Sequence, residues 1–209
     1  PALWTIERYA RELEQVRTGM GLGPVHLLGQ SWGGWLAIEY ALTFPDGLKT
    51  LILSNTAGDL PHLVEELNRL RSTLGPETVT MMQKREAEGS IEHPEYLAAV
   101  EILNWRHVHR LEAMPPALQR SMDGMVFDIY NAMQGPNEFV YIGNLKDWNR
   151  VPDMHRITQP AYIIVGEHDE LTPACAMKMH HALPDSTLRV FRDASHSTCF
   201  ETPEPYYRE

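Results

Sequence analysis

The chain has 209 residues, of which 43% are hydrophobic and 22% charged, so we expect one substantial core in one domain, with or without an insertion. Its formal net charge of -10 argues against a nucleic acid or an anionic membrane surface as the main partner, because both require a cationic face. The two cysteines, Cys175 and Cys199, are too few for a disulfide framework and lack metal-site spacing, so no metal is expected. The same scarcity of cysteine favours a reducing, cytoplasmic location. No apolar run has membrane-spanning length, and no signal-peptide pattern opens the chain.

The first predicted elements are a helix and then a strand-helix-strand unit. The helix begins near Trp4, with Thr5 as its N-cap, and runs for about sixteen residues. A strand over residues 25–29, a helix over 32–44 and a strand over 48–53 follow, and two strands joined in this way imply a parallel sheet. The apolar residues of the first helix recur at helical spacing: Ile6, Leu13, Val16 and Met20.

A serine stands between the first strand and the next helix, in the sequence Gly29-Gln30-Ser31-Trp32-Gly33. A sharp strand-turn-helix connection strains its central residue, so we expect Gly29 and Gly33 to be required because they lack side chains. Ser31 then projects from the apex as a candidate nucleophile. The N–H of Trp32, at the start of the helix, is a candidate donor to an oxyanion.

The middle of the chain, from about residue 58 to 150, loses strand character and alternates helical patterns with Pro and Gly. We interpret it as a helical insertion, which divides the chain into core residues 1–57, insertion 58–150 and core residues 151–209. Its large side chains suit the insertion's own core, and some are expected to line an adaptable apolar pocket. They are Met81, Met82, Trp105, Met114, Met122, Met125, Phe127, Tyr130, Met133, Phe139, Tyr141 and Trp148.

Two further strands, over residues 161–166 and 187–191, each lead into a polar loop. The first loop contains Asp169 and the second contains His196. Because the carboxyl ends of parallel strands share one edge of a sheet, these residues are expected to meet Ser31 there. The chain order of serine, aspartate and histidine is that of the α/β-hydrolases, and it differs from the orders in chymotrypsin and subtilisin.

The other histidines are less suitable as a catalytic base. His107, His109, His180 and His181 lie in predicted helices without metal-ligand spacing, so we assign them surface or packing roles. His168 is the immediate neighbour of Asp169, and neighbours on a loop seldom have the geometry that a base and its orienting acid require.

Three stretches of the sequence resemble the proline iminopeptidase family of α/β-hydrolases: residues 29–34, 166–173 and 191–196. Residues 135–139 and 143–148 are similar to the branch typified by the tricorn-interacting aminopeptidase. The resemblance covers nearly the whole chain and is weakest from about residue 60 to 103. It implies an α/β-hydrolase fold, with a mostly parallel sheet, flanking helices and an inserted helical cap. It also implies an enzyme without a cofactor that releases an N-terminal residue, proline or another, from short peptides or hydrolyses amino-acid amides.

The resemblance also implies roles for individual residues. Ser31 matches the family's nucleophile, His196 the general base, and Asp169 the acid that orients the histidine. Glu138 and Glu170 match the two carboxylates that hold the α-ammonium group of the substrate. Carboxylates in a partly desolvated pocket suit this task because they make charge-assisted hydrogen bonds with an ammonium.

One departure from the family concerns the oxyanion hole. The sequence lacks the family's His-Gly-Gly-Pro-Gly motif, which supplies a second oxyanion donor, and it lacks the strands expected before the first helix and a closing helix at its end. We therefore expect the chain to be a fragment that is inactive and poorly folded in isolation. The functional expectations apply to the intact protein, whose oligomeric state the sequence does not predict.

Two alternatives to an aminopeptidase remain open. A carboxylesterase or a carbon–carbon bond hydrolase would use the same three residues, but a neutral substrate gains nothing from the carboxylate pair. A non-catalytic binding protein of the same fold is the second alternative, because fold alone does not establish function. Epoxide hydrolase and dehalogenase chemistry is disfavoured, since those relatives have aspartate where Ser31 stands.

Overall fold

The computed structural model describes residues 3–209, and its centre is a parallel four-stranded sheet. The strands lie side by side in chain order, and all three pairings are parallel. Ile163, for example, lies opposite Leu53 on one side and Leu188 on the other. The predicted parallel α/β sheet is confirmed. The strands are β1 (Val25–Gln30), β2 (Leu48–Ser54), β3 (Ala161–Gly166) and β4 (Ser186–Phe191).

Residues 3–209 also form ten α-helices, and none of them combines the length and the apolar character that a membrane crossing requires. Short 3-10 turns at Pro45–Gly47 and Val151–Arg156 precede β2 and β3. The helices are α1 (Ile6–Gly19), α2 (Trp32–Thr43), α3 (Leu60–Ser72), α4 (Pro76–Glu88), α5 (Pro94–Leu103), α6 (Pro116–Asp123), α7 (Phe127–Met133), α8 (Pro173–Ala182), α9 (Thr198–Glu201) and α10 (Pro203–Arg208).

Helix α1 packs on α2 and buries Ile6 and Ala10 of its first turns. Thr5 is its N-cap, as predicted, and accepts a hydrogen bond from the N–H of Arg8. Ile6 is buried, whereas Val16 and Met20, which were expected on the same apolar face, are 56% and 68% exposed. The expectation for these two residues was wrong because the last turn of α1 is held by polar contacts instead. They are the hydrogen bonds of Arg17 and Tyr40 to Glu14 and those of Arg17 to the carbonyls of Leu22 and Gly23.

The insertion, residues 58–150, contains α3 to α7 and contributes none of the four strands found within residues 3–209. Its two ends run side by side: Arg150 N donates to Gly58 O at 2.9 Å, and Leu60 N donates to Trp148 O at 3.0 Å. Arg150 also makes a bidentate ion pair with the buried Glu39 of α2. The base of the insertion is therefore fixed to the core.

The twelve large side chains of the insertion differ in burial, and Met81, Met114, Met125 and Tyr130 are half-buried. Met82, Met133, Phe139, Tyr141 and Trp148 are buried, as expected of core residues. In contrast, Trp105, Met122 and Phe127 are exposed, so the expectation of a core role is wrong for these three residues. The exposed residues lie on short elements, α6, α7 and a single π-helical turn, of which only α7 contains a buried residue, Met133.

The turn between β1 and α2 has the strained geometry expected of it. Ser31 has a φ of 56° and a ψ of -125°. A Cβ atom on Gly29 would lie 2.2 Å from the carbonyl oxygen of Gly33, and one on Gly34 would lie 2.3 Å from Thr56 Oγ1. A Cβ atom on Gly33 would meet nothing within 4 Å, so the expectation that Gly33 must lack a side chain was wrong. The carbonyl of Gly33 is the group that Gly29 approaches. Gly34, and not Gly33, is the second position where a side chain has no room.

We predict that Gly29→Ala and Gly33→Ala differ sharply in stability. The first substitution forces a methyl group against backbone, and overpacking of this kind costs about 1–3 kcal/mol or more. The second adds a methyl group in open space within a helix, where alanine is favoured over glycine by about 0.5–1 kcal/mol. Thermal unfolding of both variants measures the difference. Equal effects would contradict the packing described for Gly29.

Candidate functional site

A polar residue follows the carboxyl end of every strand in the sheet. Ser31 comes directly after β1 and Asn55 directly after β2, while Asp169 and His196 lie in the loops after β3 and β4. Parallel strands bring these ends to one edge, which is where sites assemble in open α/β sheets. The structure places all four residues at this edge.

The backbone of Ser31 is fixed on both sides. Its N–H donates to Ser54 O at 3.0 Å, and its carbonyl accepts hydrogen bonds from Thr56 Oγ1 and Gly34 N, both at 2.8 Å. Trp32 is the first residue of α2, and the first N–H groups of a helix have no partner within it. The peptide N–H of Trp32 therefore belongs to the positive end of the helix, beside Ser31.

Asp169 and His196 are in direct contact, with Asp169 Oδ1 3.0 Å from His196 Nδ1. Asp169 is only 1% exposed, and Leu171 N also donates to its Oδ1 at 2.9 Å. Burial raises the pKa of Asp169, but the charge of His196 and the hydrogen bonds from His196, Asn55 and Leu171 outweigh burial and hold this pKa below its ordinary value. Burial lowers the pKa of His196, but the contact with Asp169 and the charges of nearby carboxylates raise it above its ordinary value.

Asn55 is a site residue that the sequence analysis missed. Its Nδ2 donates to Asp169 Oδ2 at 2.7 Å and to Thr198 Oγ1 at 2.9 Å, and its backbone has a φ of 50°. Ser54 Oγ donates to Asn55 Oδ1 at 2.8 Å, which orients the amide so that its nitrogen faces the carboxylate. The available signal was its position, because a polar residue directly after a buried strand at this edge matches the placement of Ser31.

The acid loop (residues 167–172) and the histidine loop (residues 192–197) lie against each other. His168 N donates to Ala194 O at 2.9 Å, which joins the two loops through their main chains. A Cβ atom on Gly166, at the end of β3, would lie 2.4 Å from Ser195 O, so only glycine permits this approach. The close packing of the loops sets the separation of Asp169 and His196.

The nitrogen of His196 that would face a nucleophile is near Gln30 instead. Gln30 Nε2 lies 3.3 Å from His196 Nε2, and among residues 3–209 no hydrogen bond joins His196 to Ser31 Oγ. With the proton of Nδ1 donated to Asp169, Nε2 is the acceptor and the Gln30 amide is the donor. Catalytic hydrogen bonds often form only when substrate is bound, so this arrangement is compatible with a base that turns to Ser31.

Glu170 is a buried carboxyl group without a partner. It is 0% exposed, and neither of its oxygens has a hydrogen bond within residues 3–209. Its Oε1 lies 3.3 Å from His196 Nδ1, whose proton is already donated to Asp169. Burial, together with the charges of Asp169 and Glu138, raises the pKa of Glu170 well above its ordinary value. In the free protein this group therefore keeps its proton to a higher pH than an ordinary carboxyl group does.

Glu138 lies on the insertion, in the segment that follows α7. It accepts a hydrogen bond from Gln134 Nε2 at 2.7 Å and is half-buried. Its charge contributes to raising the pKa of both Glu170 and His196, which places it within electrostatic range of both. Among residues 3–209, the one hydrogen bond of Glu138 is to Gln134, so what joins it to Glu170 and His196 is charge and not direct contact.

An apolar cavity of about 260 Å³ adjoins the start of α2. Trp32 and Tyr9 form its wall on the core side, and Met125, Ile129 and Met133 form its wall on the insertion side. Two of the methionines predicted to line a pocket therefore do so. The cavity lies between the candidate oxyanion donor and the insertion, with Tyr130 and Gln134 at the side of Glu138.

Two clusters have a donor arrangement that a metal ion could use. The ligand atoms of Asp169, Glu170 and His196 lie within 4.8 Å of one another, as do those of Glu167, His168 and Asp193. In the first cluster, the hydrogen bond from His196 Nδ1 to Asp169 already occupies the facing atoms. The second cluster lies largely at the surface, where acidic groups are common without an ion.

Comparisons with known proteins identify relatives along the whole chain. A sequence model described as the alpha/beta hydrolase fold matches residues 2–203. The chain is 36% identical over 205 residues to a proline iminopeptidase of Saccharolobus solfataricus, covering 97% of this chain and 66% of the relative. It is 35% identical over 205 residues to a proline iminopeptidase of Heyndrickxia coagulans, covering 98% of this chain and 71% of the relative. The crystal structure of a proline iminopeptidase of Mycobacterium smegmatis superimposes with a TM-score of 0.90 at 36% identity. The match covers 99% of this chain and 70% of that structure. The chain thus spans about two thirds of the length of these relatives.

We predict that Glu170→Gln stabilises the protein increasingly as the pH rises. The folded protein holds a proton on Glu170 that the unfolded chain releases above about pH 4.3, so the wild type loses stability from there up towards the raised folded pKa. Glutamine cannot ionise, so the variant does not lose stability in this way. In the wild type the free energy of unfolding falls by about 1.4 kcal/mol for each pH unit between the unfolded and the folded pKa of Glu170.

Denaturant unfolding across the range from acid to neutral pH checks this prediction. The variant should match the wild type at acid pH and exceed it by at least about 1 kcal/mol near neutral pH. Glu167→Gln is the matched control, because Glu167 is an exposed carboxylate in the same loop. A stability difference for Glu170→Gln that does not change with pH would contradict the buried, protonated state.

Proposed function

Because the chain belongs to the proline iminopeptidase family of α/β-hydrolases, we propose that it carries the catalytic residues of a serine aminopeptidase. Its substrates are short peptides with a free N-terminus, or amino-acid amides, and it releases the N-terminal residue. The observation that carries this proposal is the unpartnered, buried Glu170 beside His196, with the charge of Glu138 acting on both. A terminal ammonium group would supply the positive charge that both carboxyl groups favour and the hydrogen-bond donor that Glu170 lacks.

In the proposed reaction Ser31 Oγ attacks the carbonyl carbon of the N-terminal residue, and His196 Nε2 takes the hydroxyl proton. The carbonyl oxygen becomes an oxyanion, which the N–H of Trp32 stabilises together with the field of α2. The scissile C–N bond then breaks, and His196 returns the proton to the leaving amine. Water attacks the resulting ester by the same route, so that Ser31 regains its proton and the free amino acid departs.

Asp169 acts through His196 in this scheme. Its hydrogen bond to Nδ1 fixes the tautomer that leaves Nε2 free to accept a proton, and its charge stabilises the imidazolium that forms. Gln30 has to give up its contact with His196 Nε2 when the base turns to Ser31. The raised pKa of His196 means that kcat/KM should rise with pH, as the histidine loses the proton that would block it as a base.

The substrate ammonium is placed by the two glutamates. In the free protein the pKa of Glu170 is raised, and a cation beside it favours the carboxylate, so substrate binding releases a proton. The apolar cavity at Trp32 and the insertion offers a place for an apolar side chain of the substrate. An N-acetylated substrate has no ammonium and should be poor.

We predict that Ser31 and His196 act as one unit. Ser31→Ala and His196→Ala should each abolish turnover of an aminoacyl arylamide, and the double variant should be little worse than either, because residues that act together are not additive. Steady-state and single-turnover rates measure the three variants beside the wild type. Retention of more than a few per cent of activity in Ser31→Ala would rule out Ser31 as the nucleophile.

We predict a selective loss of amine recognition in Glu138→Gln and Glu170→Gln. Each change keeps the size of the side chain but removes a charge-assisted hydrogen bond worth roughly 1.5–3 kcal/mol, so kcat/KM for aminoacyl arylamides should fall about 10- to 150-fold. Activity on a small neutral p-nitrophenyl ester should change little. Arylamides of proline, alanine, leucine and phenylalanine give the preferred N-terminal residue in the same assay.

The ester assay distinguishes this proposal from an esterase of the same fold. An esterase would lose nothing on Glu138→Gln, and it would turn over the ester faster than any free-amine substrate. Equal losses on ester and arylamide would show damage to the Asp169–His196 pair, and they would count against amine recognition by the glutamates.

A further inference from the structure

The insertion reaches both loops of the site through one short segment, the π-helical turn Asn104–Val108 that continues α5. The carbonyls at the end of a helix have no partner within it, and here they accept hydrogen bonds from the histidine loop. His196 N donates to His107 O, and Ser197 N donates to Val108 O, both at 3.0 Å. The hydroxyl of Ser197 also donates to Val108 O at 2.9 Å. The insertion therefore holds the main chain of His196 directly.

The side chain of His107 extends to the other loop. Its Nδ1 lies 2.8 Å from His168 O, the carbonyl next to Asp169 in the chain. A carbonyl only accepts, so the proton is on Nδ1, and Nε2 is buried without a partner within residues 3–209. Burial lowers the pKa of His107, which agrees with a neutral ring.

We propose that His107 is a positioning residue, which holds the acid loop by its side chain and the histidine loop by its main chain and so sets the alignment of Asp169 with His196. This inference rests on the proposed function, because the alignment matters only if the pair acts on a substrate. Misplacement of a catalytic group by about 1 Å can cost about 100-fold in rate.

The local helix geometry supports this assignment. His109 N donates to Asn104 O at 3.0 Å, the wide hydrogen bond that defines a π turn. Such turns are rare, and they occur frequently at functional sites. Beyond the turn, Arg110 N donates to Glu201 Oε1 at 2.6 Å, and Glu201 also accepts from Ser195 Oγ at 2.6 Å. The end of this helix is thus bound directly to His196 and Ser197, and through Glu201 to Ser195.

The test compares His107→Asn with His107→Gln in the whole protein. The amide nitrogen of asparagine occupies the place of histidine Nδ1 and can still donate to His168 O, whereas that of glutamine extends to the place of Nε2. His62→Gln is the control, because His62 lies on α3 of the insertion and within residues 3–209 the hydrogen bond of its side chain is to Glu65, at 3.4 Å. Each variant is assayed for kcat and KM on an aminoacyl arylamide and on a p-nitrophenyl ester, with a pH profile and thermal unfolding.

We expect His107→Gln to lower kcat about 10- to 100-fold on both substrates with KM nearly unchanged, and His107→Asn to stay within about threefold of the wild type. The pH profile is the readout that a merely structural role would not move. The charges that raise the pKa of His196 come from Asp169, Glu138 and Glu201. Loosening the contact with Asp169 should therefore move the rising limb of the profile to lower pH in His107→Gln alone.

Equal activities of the asparagine and glutamine variants, or an unchanged pH profile in a folded His107→Gln, would overturn the inference. If His107→Gln does not fold, the asparagine variant decides: wild-type kcat and pH profile support the inference, and a loss of kcat overturns it. Ser31→Ala separates the two proposals. If Ser31→Ala remains active, the proposed function fails and this inference fails with it; if Ser31→Ala is inactive, a failure in the His107 variants concerns His107 only.

Discussion

The burial of Asp169 constrains much of the structure around it. A carboxylate that is 1% exposed has lost its water, and it stays charged only if the protein supplies hydrogen-bond donors or positive charge. Asn55, Leu171 and His196 supply them, from the end of β2, the acid loop and the histidine loop. Three segments that are distant in sequence must therefore converge to within hydrogen-bond distance of one side chain.

The hydrogen bonds around Asp169 continue to α10, the last helix of the chain. Ser54 Oγ donates to Asn55 Oδ1 and accepts a hydrogen bond from the hydroxyl of Tyr206 in α10. The strand end, the short C-terminal helix and the carboxylate are thus linked by one chain of hydrogen bonds. Because buried networks of this kind are costly when they are only partly satisfied, a change at one member is felt at the others.

The elements of the site that the sequence predicted are those with a local signature. The four strands were predicted to within a residue or so of their limits. Ser31, Asp169 and His196 were predicted as site residues because each follows the carboxyl end of a strand. Asn55 was missed, and His107 was given only a surface or packing role, because their partners lie far along the chain and neither has a local pattern of its own. The wrong prediction for Gly33 has the same cause. Thr56, in a neighbouring segment, leaves no room for a side chain at Gly34, whereas the space beside Gly33 is open.

The two ends of the insertion lie within hydrogen-bond distance of each other, between Gly58 and Arg150, and are tied to Glu39. For the sheet, the whole segment is therefore equivalent to a short closed loop between β2 and β3, whatever its length, and lengthening such a loop costs little free energy. A core of this design can accept a different helical covering without rebuilding its strands. A different covering would also have to replace the two carbonyls, of His107 and Val108, that accept hydrogen bonds from the backbone of the histidine loop.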